Sequence, residues 1–204
     1  MKDSIQEQLI AARRSQILDA ATTVFAEKGF HPTTIKDIAK VAGIADGTIY
    51  NYFENKTALL LGILDRLNET ERRDEDLAQA TVMDMRTFMR AYFRQRFTVQ
   101  LDNLEVFQVV LSEIMVNKEL REQYYRQIVE PTFTLAEKYF QTLIDQHKAR
   151  PVDVALTMRA ISSMFLGLII LRIMGDKPLQ TQWDDLPDLL TDLMFDGLSL
   201  TGSE

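Results

Sequence analysis

Apolar positions recur along this 204-residue chain at intervals of three and four, and no stretch sustains the strict alternation of a strand. Between Ile5 and Lys28, the residues Ile10, Ile17, Ala21, Val24 and Phe25 fall on one helical stripe. Gly29 follows where a left-handed terminating residue belongs. The next run, TTIKDIAKVAG, spaces Thr34 and Asp37 as a capping box and offers Ile38, Ala39 and Ala42 as an inner face before Gly43 ends it. Only Ile44 and Ala45 separate that end from a third helical pattern, which reaches about Phe53. Two short helices joined by a tight, glycine-containing turn have the outline of a helix-turn-helix. A long helix from Thr57 runs into NETERRDED, whose charges predict a solvated end. Further helices are expected at about 83–101, 103–116, 118–148, 151–175 and 185–200. Pro131 is expected to kink or divide the 118–148 region, and Pro151 to open the helix after it. The pattern predicts an all-α chain.

A helical wheel at about 100° per residue separates the faces of the third pattern, ADGTIYNYF. Ala45, Ile49 and Phe53 share one arc and are expected in the core. Gly47 and Asn51 lie opposite, flanked by Thr48 and Tyr50, with Tyr52 at the edge. Such a face is suited to DNA. Asn pairs bidentately with adenine in the major groove, and Thr contacts bases or a thymine methyl. Tyr hydroxyls and helix-terminal N–H groups suit phosphate oxygens, and a glycine lets backbone come close. Lys56 adds a charge one turn on.

Charge first argues against a polyanionic partner, because the net charge is −7. Its distribution matters more. Within 1–56, Lys2, Arg13, Arg14, Lys28, Lys36, Lys40 and Lys56 balance Asp3, Glu7, Asp19, Glu27, Asp37, Asp46 and Glu54, so the remainder carries the whole excess. Cysteine is absent, which excludes disulfides, thiolate catalysis and cysteine-ligated zinc. MKDSIQEQLIAARR has no apolar signal core, and the longest apolar run free of charge, Ala160 to Leu171, falls short of the roughly 20 residues that span a bilayer. A soluble, cytoplasmic chain without a membrane partner is expected.

The run from about Arg13 to Leu61 resembles the TetR family of bacterial transcriptional repressors. The residues that carry the likeness are ILDAATTVFAEKGFHPTTIKDIAKVAGIADGTIYNYFENKTALL, which keep the spacing A…F…GF…TTI.DIA..AG…GT.Y.YF.NK.AL. The resemblance implies a homodimeric regulator with an N-terminal three-helix helix-turn-helix DNA-binding domain, 1–56. A C-terminal helical ligand-binding and dimerisation domain, 57–204, would follow. It places Thr34 and Lys36 near phosphate at the start of the positioning helix. It sets Gly47, Thr48 and Asn51 on the groove-facing surface of a recognition helix at about 46–52, and Tyr50, Tyr52 and Lys56 on the DNA backbone. Ala45 stands where many members have a capping serine, so the cap passes to Asp46 or is lost; without one, about 1 kcal/mol is forfeited. Asp46 suits the helix dipole but would repel phosphate, and could accept from a cytosine amino group instead. The ADGTIY form is similar to that of members responding to fatty acyl-CoA.

Beyond residue 61 the resemblance supplies architecture without a motif. FMRAYFRQRF, FQVVLSEIMV and SSMFLGLIILRIM are rich in aromatic residues, Met or aliphatics, and the last is apolar almost all round. Phe93, Phe97, Phe107, Met115, Tyr124 and Met164 are candidates to line a pocket for an apolar or amphipathic effector, an acyl-CoA or a hydrophobic drug-like compound. The last two helices, 151–175 and 185–200, are expected to form the dimer bundle, with Gly167 permitting close helix approach. An enzyme is the rival class. His31 and His147 have no triad or metal partners in sequence, and NETERRDED reads as a solvated face. No catalytic residue, metal or cofactor is expected. A helical adaptor that binds only protein is the second alternative, and a DNA gel shift separates it from a double-stranded operator binder.

Overall fold

The structure, a computed structural model, describes residues 2–68, 78 and 82–196. The chain divides into two compact units, Met1–Asn68 with Asn103–Ile128, and Glu69–Asp102 with Val129–Glu204. Among the described residues every regular element is helical.

In the first unit, α1 (Lys2–Lys28) buries Ile17, Leu18, Ala20, Ala21, Val24 and Phe25. Residues 5–12 are all exposed, so the apolar stripe is used only from Ile17 onward and Ile10 is not part of it. Gly29 ends α1 at φ +80°, and its N–H donates to Phe25 O at 2.8 Å. The capping box forms as expected at α2 (Ile35–Ala42). Thr34 Oγ1 accepts from Asp37 N, while Asp37 Oδ2 accepts from Thr34 N at 2.9 Å. Gly43 closes α2 at φ +66°.

The third helix, α3 (Asp46–Ile49), is shorter than the wheel suggested, and the chain continues to Tyr52 through turns. Ile49 and Phe53 enter the core at 0% and 4% exposure. Ala45 does not; it is the exposed N-cap, and its extended backbone (φ −69°, ψ 142°) takes it out of helical phase. α4 (Lys56–Leu67) starts at Asn55, whose side chain accepts from Ala58 N, and buries Leu59, Leu60, Ile63, Leu64 and Leu67. Gly62 lets α4 pack closely there, since a Cβ would lie 2.9 Å from Leu18 Cδ2 and 3.2 Å from the Phe53 ring and these side chains would have to give way.

This unit is larger than the expected 1–56 segment. α4 shares one core with Phe25, Ile38 and Ile49, and Val106 and Val110 of α6 (Leu104–Val116) and Leu120 of α7 (Lys118–Tyr124) join the same cluster.

The second unit contains α5 (Met85–Asp102), α8 (Glu130–Asp145), α9 (Val154–Ile173), α10 (Lys177–Thr181) and α11 (Leu186–Phe195). Pro131 does divide the 118–148 region, but the break precedes it. Its missing N–H leaves Gln127 O without an α-helical donor, and the chain widens into a π turn at Tyr125–Val129. Pro151 does not open a helix; Asp153 caps α9 by accepting from Leu156 N at 2.9 Å. The 185–200 helix is described only to Phe195, and NETERRDED beyond Asn68 lies outside the described residues.

Arg86, Arg90 and Arg94, one turn apart on α5, meet Asp196, Asp192 and Asp188 in antiparallel order. This ladder sets the register of α5 against α11. α9 is longer than the charge-free run it contains and is apolar enough, by length and composition, to cross a bilayer. It nevertheless carries Arg159, which pairs with Glu137 of α8 at 2.7 Å and stacks on Phe133.

Candidate nucleic-acid interface and effector cavity

The turn between α2 and α3 leaves one face of α3 outside the core. Asp46, Gly47, Tyr50 and Asn51 are exposed, and Thr48 is half-buried. Tyr50 is 57% exposed although aromatic. A Cβ on Gly47 would meet nothing within 4 Å, so the chain's own packing does not demand a glycine there. Asp46 Oδ1 accepts from Gly47 N at 3.1 Å, while Ala45 supplies no side-chain cap. The acidic residue therefore takes over part of the missing cap's role. Thr34 and Lys36 are both exposed at the start of α2. The Thr34 hydroxyl is engaged with Asp37, whose carboxyl is held below the usual carboxylate range. The Lys28 ammonium is the largest cause, followed by Thr34.

Two sequence-predicted contacts are placed differently. Tyr52 is half-buried and packs against the first unit's core. Lys56 turns inward. Its Nζ donates to Phe30 O at 2.6 Å, Thr33 O at 3.0 Å and His31 O at 3.1 Å, and lies 4.4 Å above the Phe30 ring. Burial pushes its pKa below the ordinary lysine value, opposed by the charge of Glu113. An ammonium has three protons, and these three carbonyls use them all.

Sequence reading did not single out Arg14. Its guanidinium donates to Tyr52 O at 2.8 Å and lies 4.4 Å from the Phe53 ring centroid, tying α1 to the segment after α3. No local spacing signals that contact, since its partners lie far along the chain.

The second unit holds an apolar cavity of about 100 Å³. Met85, Phe88, Met89 and Tyr92 of α5 line it at helical spacing, facing Phe133, Ala136, Tyr139 and Leu143 of α8, with Met158, Ser162 and Met194. None of the six residues expected to line a pocket lines this cavity. Phe93 and Phe97 occupy the other face of α5, each 2% exposed, and Phe97 packs on Phe165 and edge-on to Trp183. Phe107 and Tyr124 pack on the first unit's core, Met115 is 69% exposed, and Met164 is half-buried on α9. The signal for this lining was the Met/aromatic run at 85, 88, 89 and 92, which has the same character as the run at 93 and 97.

Comparison with known proteins settles what this helix-turn-helix is. The profile of the bacterial regulatory proteins, tetR family, matches residues 17–63. Over residues 17–63 the chain is of the TetR family. This is a family of regulatory proteins rather than enzymes. The fatty acid metabolism regulator protein of Bacillus subtilis is 46% identical over 66 residues, which is 31% of this chain and 34% of that protein. The transcriptional repressor KstR2 of Rhodococcus jostii is 44% identical over 61 residues, or 28% and 30% of the two chains. These matches span about a third of each relative's length. Solved structures extend the likeness. The chain superposes on the regulator FadR of Bacillus subtilis, solved in complex with stearoyl-CoA, with a TM-score of 0.75 and 26% identity over 91% of this chain and 99% of that one. The fatty acid degradation regulator FadR of Bacillus halodurans shares the fold, with a TM-score of 0.73 and 23% identity over 91% and 96%.

Proposed function

We propose that this TetR-family chain is a transcriptional repressor that binds a pseudo-palindromic operator as a homodimer and leaves DNA when an effector with a long apolar part binds its second unit. The observation that carries the DNA reading is the outer face of α3, where Gly47, Thr48, Tyr50 and Asn51 stand clear of a core that holds Ile49 and Phe53. Thr48 and Asn51 read bases, Tyr50 and the start of α2 meet phosphates, and the dimer sets two such faces about one helical turn apart. Supporting the dimer, Leu156, Ala160, Ser163, Leu171 and, just past the end of α9, Met174 are exposed, with the half-buried Gly167 among them, at spacings of three and four. A Cβ on Gly167 would meet nothing within 4 Å of its own chain, so the close approach that a glycine permits is left to a second copy.

The effector reading rests on the apolar cavity and on the stearoyl-CoA bound by the Bacillus subtilis FadR. At about 100 Å³ the cavity is smaller than the roughly 300–1,000 Å³ of sites that take drug-sized ligands. An acyl chain enters only if Met85, Met89, Met158 and Met194 give way, and flexible thioether side chains are suited to that. Binding then favours the opened state by its differential affinity, which is the coupling that releases DNA.

Fluorescence anisotropy on the DNA upstream of the chain's own reading frame tests this. A salt-dependent, sequence-preferring complex that dissociates on addition of stearoyl-CoA is expected, and Asn51→Ala relaxes base preference by about 1–3 kcal/mol. Absence of any such complex at micromolar protein refutes the repressor reading; a complex indifferent to stearoyl-CoA refutes the acyl effector alone.

A further inference from the structure

Glu113 on α6 is the one carboxylate among the described residues that is buried, at 6% exposure, and DNA binding by α3 does not use it. Its Oε1 lies 3.2 Å from His31 Nε2, while its Oε2 is buried and accepts no hydrogen bond. The Lys56 ammonium feels its charge but gives its three protons to Phe30 O, His31 O and Thr33 O. Three protons therefore face four acceptors, and one acceptor goes without. A buried, unpaired carboxylate oxygen is unfavourable, so a shift of α6 that brings Oε2 to the ammonium relieves it at the expense of a loop carbonyl.

That loop leads directly into the helix-turn-helix. Phe30 is buried against Phe25, with ring centroids 5.4 Å apart, and lies under the Lys56 ammonium. Thr33 is 2% exposed and donates to Gly29 O at 2.7 Å, and Thr34 is the cap of α2. The other charged groups nearby are spoken for. Lys28 pairs with Asp37 on the loop's flank, and Arg121 of α7 donates to Ile114 O and Met115 O at the end of α6. His31 and Lys56 are thus the two groups through which Glu113 acts.

We propose that Glu113 is a positioning residue that couples α6 to the loop between α1 and α2, through His31 and Lys56, and so sets how firmly the helix-turn-helix is held for DNA. The DNA part rests on the function proposed above. The coupling itself does not.

The test uses the full chain with Glu113→Gln, which keeps shape and removes charge, His31→Gln, the double variant, and His31→Arg, which puts a permanent donor and cation opposite Glu113. Amide hydrogen exchange is followed by mass spectrometry, and affinity for the upstream DNA by anisotropy. Glu113→Gln is expected to speed exchange across residues 30–38 by about 5- to 10-fold and to weaken DNA binding by a similar factor, with α8 and α9 unchanged. The double variant is expected to fall short of the product of the single effects, and His31→Arg to keep the parent's exchange. Unchanged exchange at 30–38 overturns the proposal. So does acceleration spread evenly over the first unit's core, or strict multiplicativity of the two single effects. Altered exchange with unaltered DNA affinity overturns the link to DNA. A parent that binds no DNA refutes the repressor function, while the exchange data still decide the coupling.

Discussion

Replacing Lys56 with Met tests whether this lysine works inside the chain or on the phosphate backbone. Methionine keeps the length of the stem over Phe30 and removes every donor, leaving Phe30 O, His31 O and Thr33 O without their partner. The lowered lysine pKa shows that burial works against the charge itself, so the hydrogen bonds rather than the ammonium's charge are the stabilising part. At about 1 kcal/mol for each ordinary hydrogen bond, with partial rewetting of the half-exposed site, the loss is about 2–3 kcal/mol. For a chain of this length that lowers the melting temperature by about 5–10 °C. A phosphate contact predicts a different signature. Its loss weakens every DNA sequence alike and reduces the slope of log affinity against log salt by about 0.9. Circular-dichroism melts and anisotropy over a salt series, both on the full chain, separate the two. The expected result is a lower melting temperature with the salt slope intact below the transition. An unchanged melt with a slope reduced by about one per site would refute the internal role and restore Lys56 to the DNA backbone.

Gly47→Leu puts a side chain into open space on the outer face of α3 and replaces a poor helix former, so thermal stability is expected to hold or rise. DNA affinity is expected to fall about tenfold or more, and retained affinity would remove α3's outer face from the interface. Asp37→Asn has a pH signature. A carboxyl held below its ordinary value contributes stability that is full above its unfolded pKa and fades as pH falls through the folded value. The melting gap between parent and variant is therefore constant above about pH 5 and narrows below about pH 4; a gap that persists unchanged to lower pH contradicts the assignment. Gly167→Glu places a charge among the exposed residues of α9, at a half-buried position where a Cβ meets nothing of its own chain. Sedimentation is expected to find the parent dimeric and the variant monomeric, and a variant that stays dimeric moves the interface elsewhere.

What could be read from the sequence is what depends on near neighbours. The capping box of Thr34 and Asp37, the left-handed glycines at 29 and 43, and the inward arc of Ile49 and Phe53 are each fixed within one or two turns of chain. The helix boundaries went astray where geometry a few residues to one side of a proline mattered. Asp153 takes the cap ahead of α9, so Pro151 is left outside. The carbonyl that Pro131 cannot serve belongs to Gln127, so the irregularity falls before the proline. The cavity lining was not legible for a different reason. Along α5 the faces bearing Met85, Phe88, Met89 and Tyr92, and bearing Phe93 and Phe97, are chemically alike. Distant residues fill the second, Phe165 and Trp183 packing on Phe97 and Trp183 donating to its carbonyl.

Lys56 combines both lessons. A lysine just past a recognition helix shows its charge in the sequence and hides its neighbours, so pattern assigns it to phosphate. Its position at the start of α4 is local and legible, yet its direction depends on three carbonyls in a loop that folds back beneath it and on Glu113 from a helix much later in the chain. The same contacts join the loop ahead of α2 to α6. If the Met variant melts early at an unchanged salt slope, the first basic residue after α3 serves to hold the helix-turn-helix together. DNA affinity then has to come from hydroxyls, backbone N–H groups and the lysines at the ends of α2, which is the arrangement expected of a reading face that carries no cation of its own.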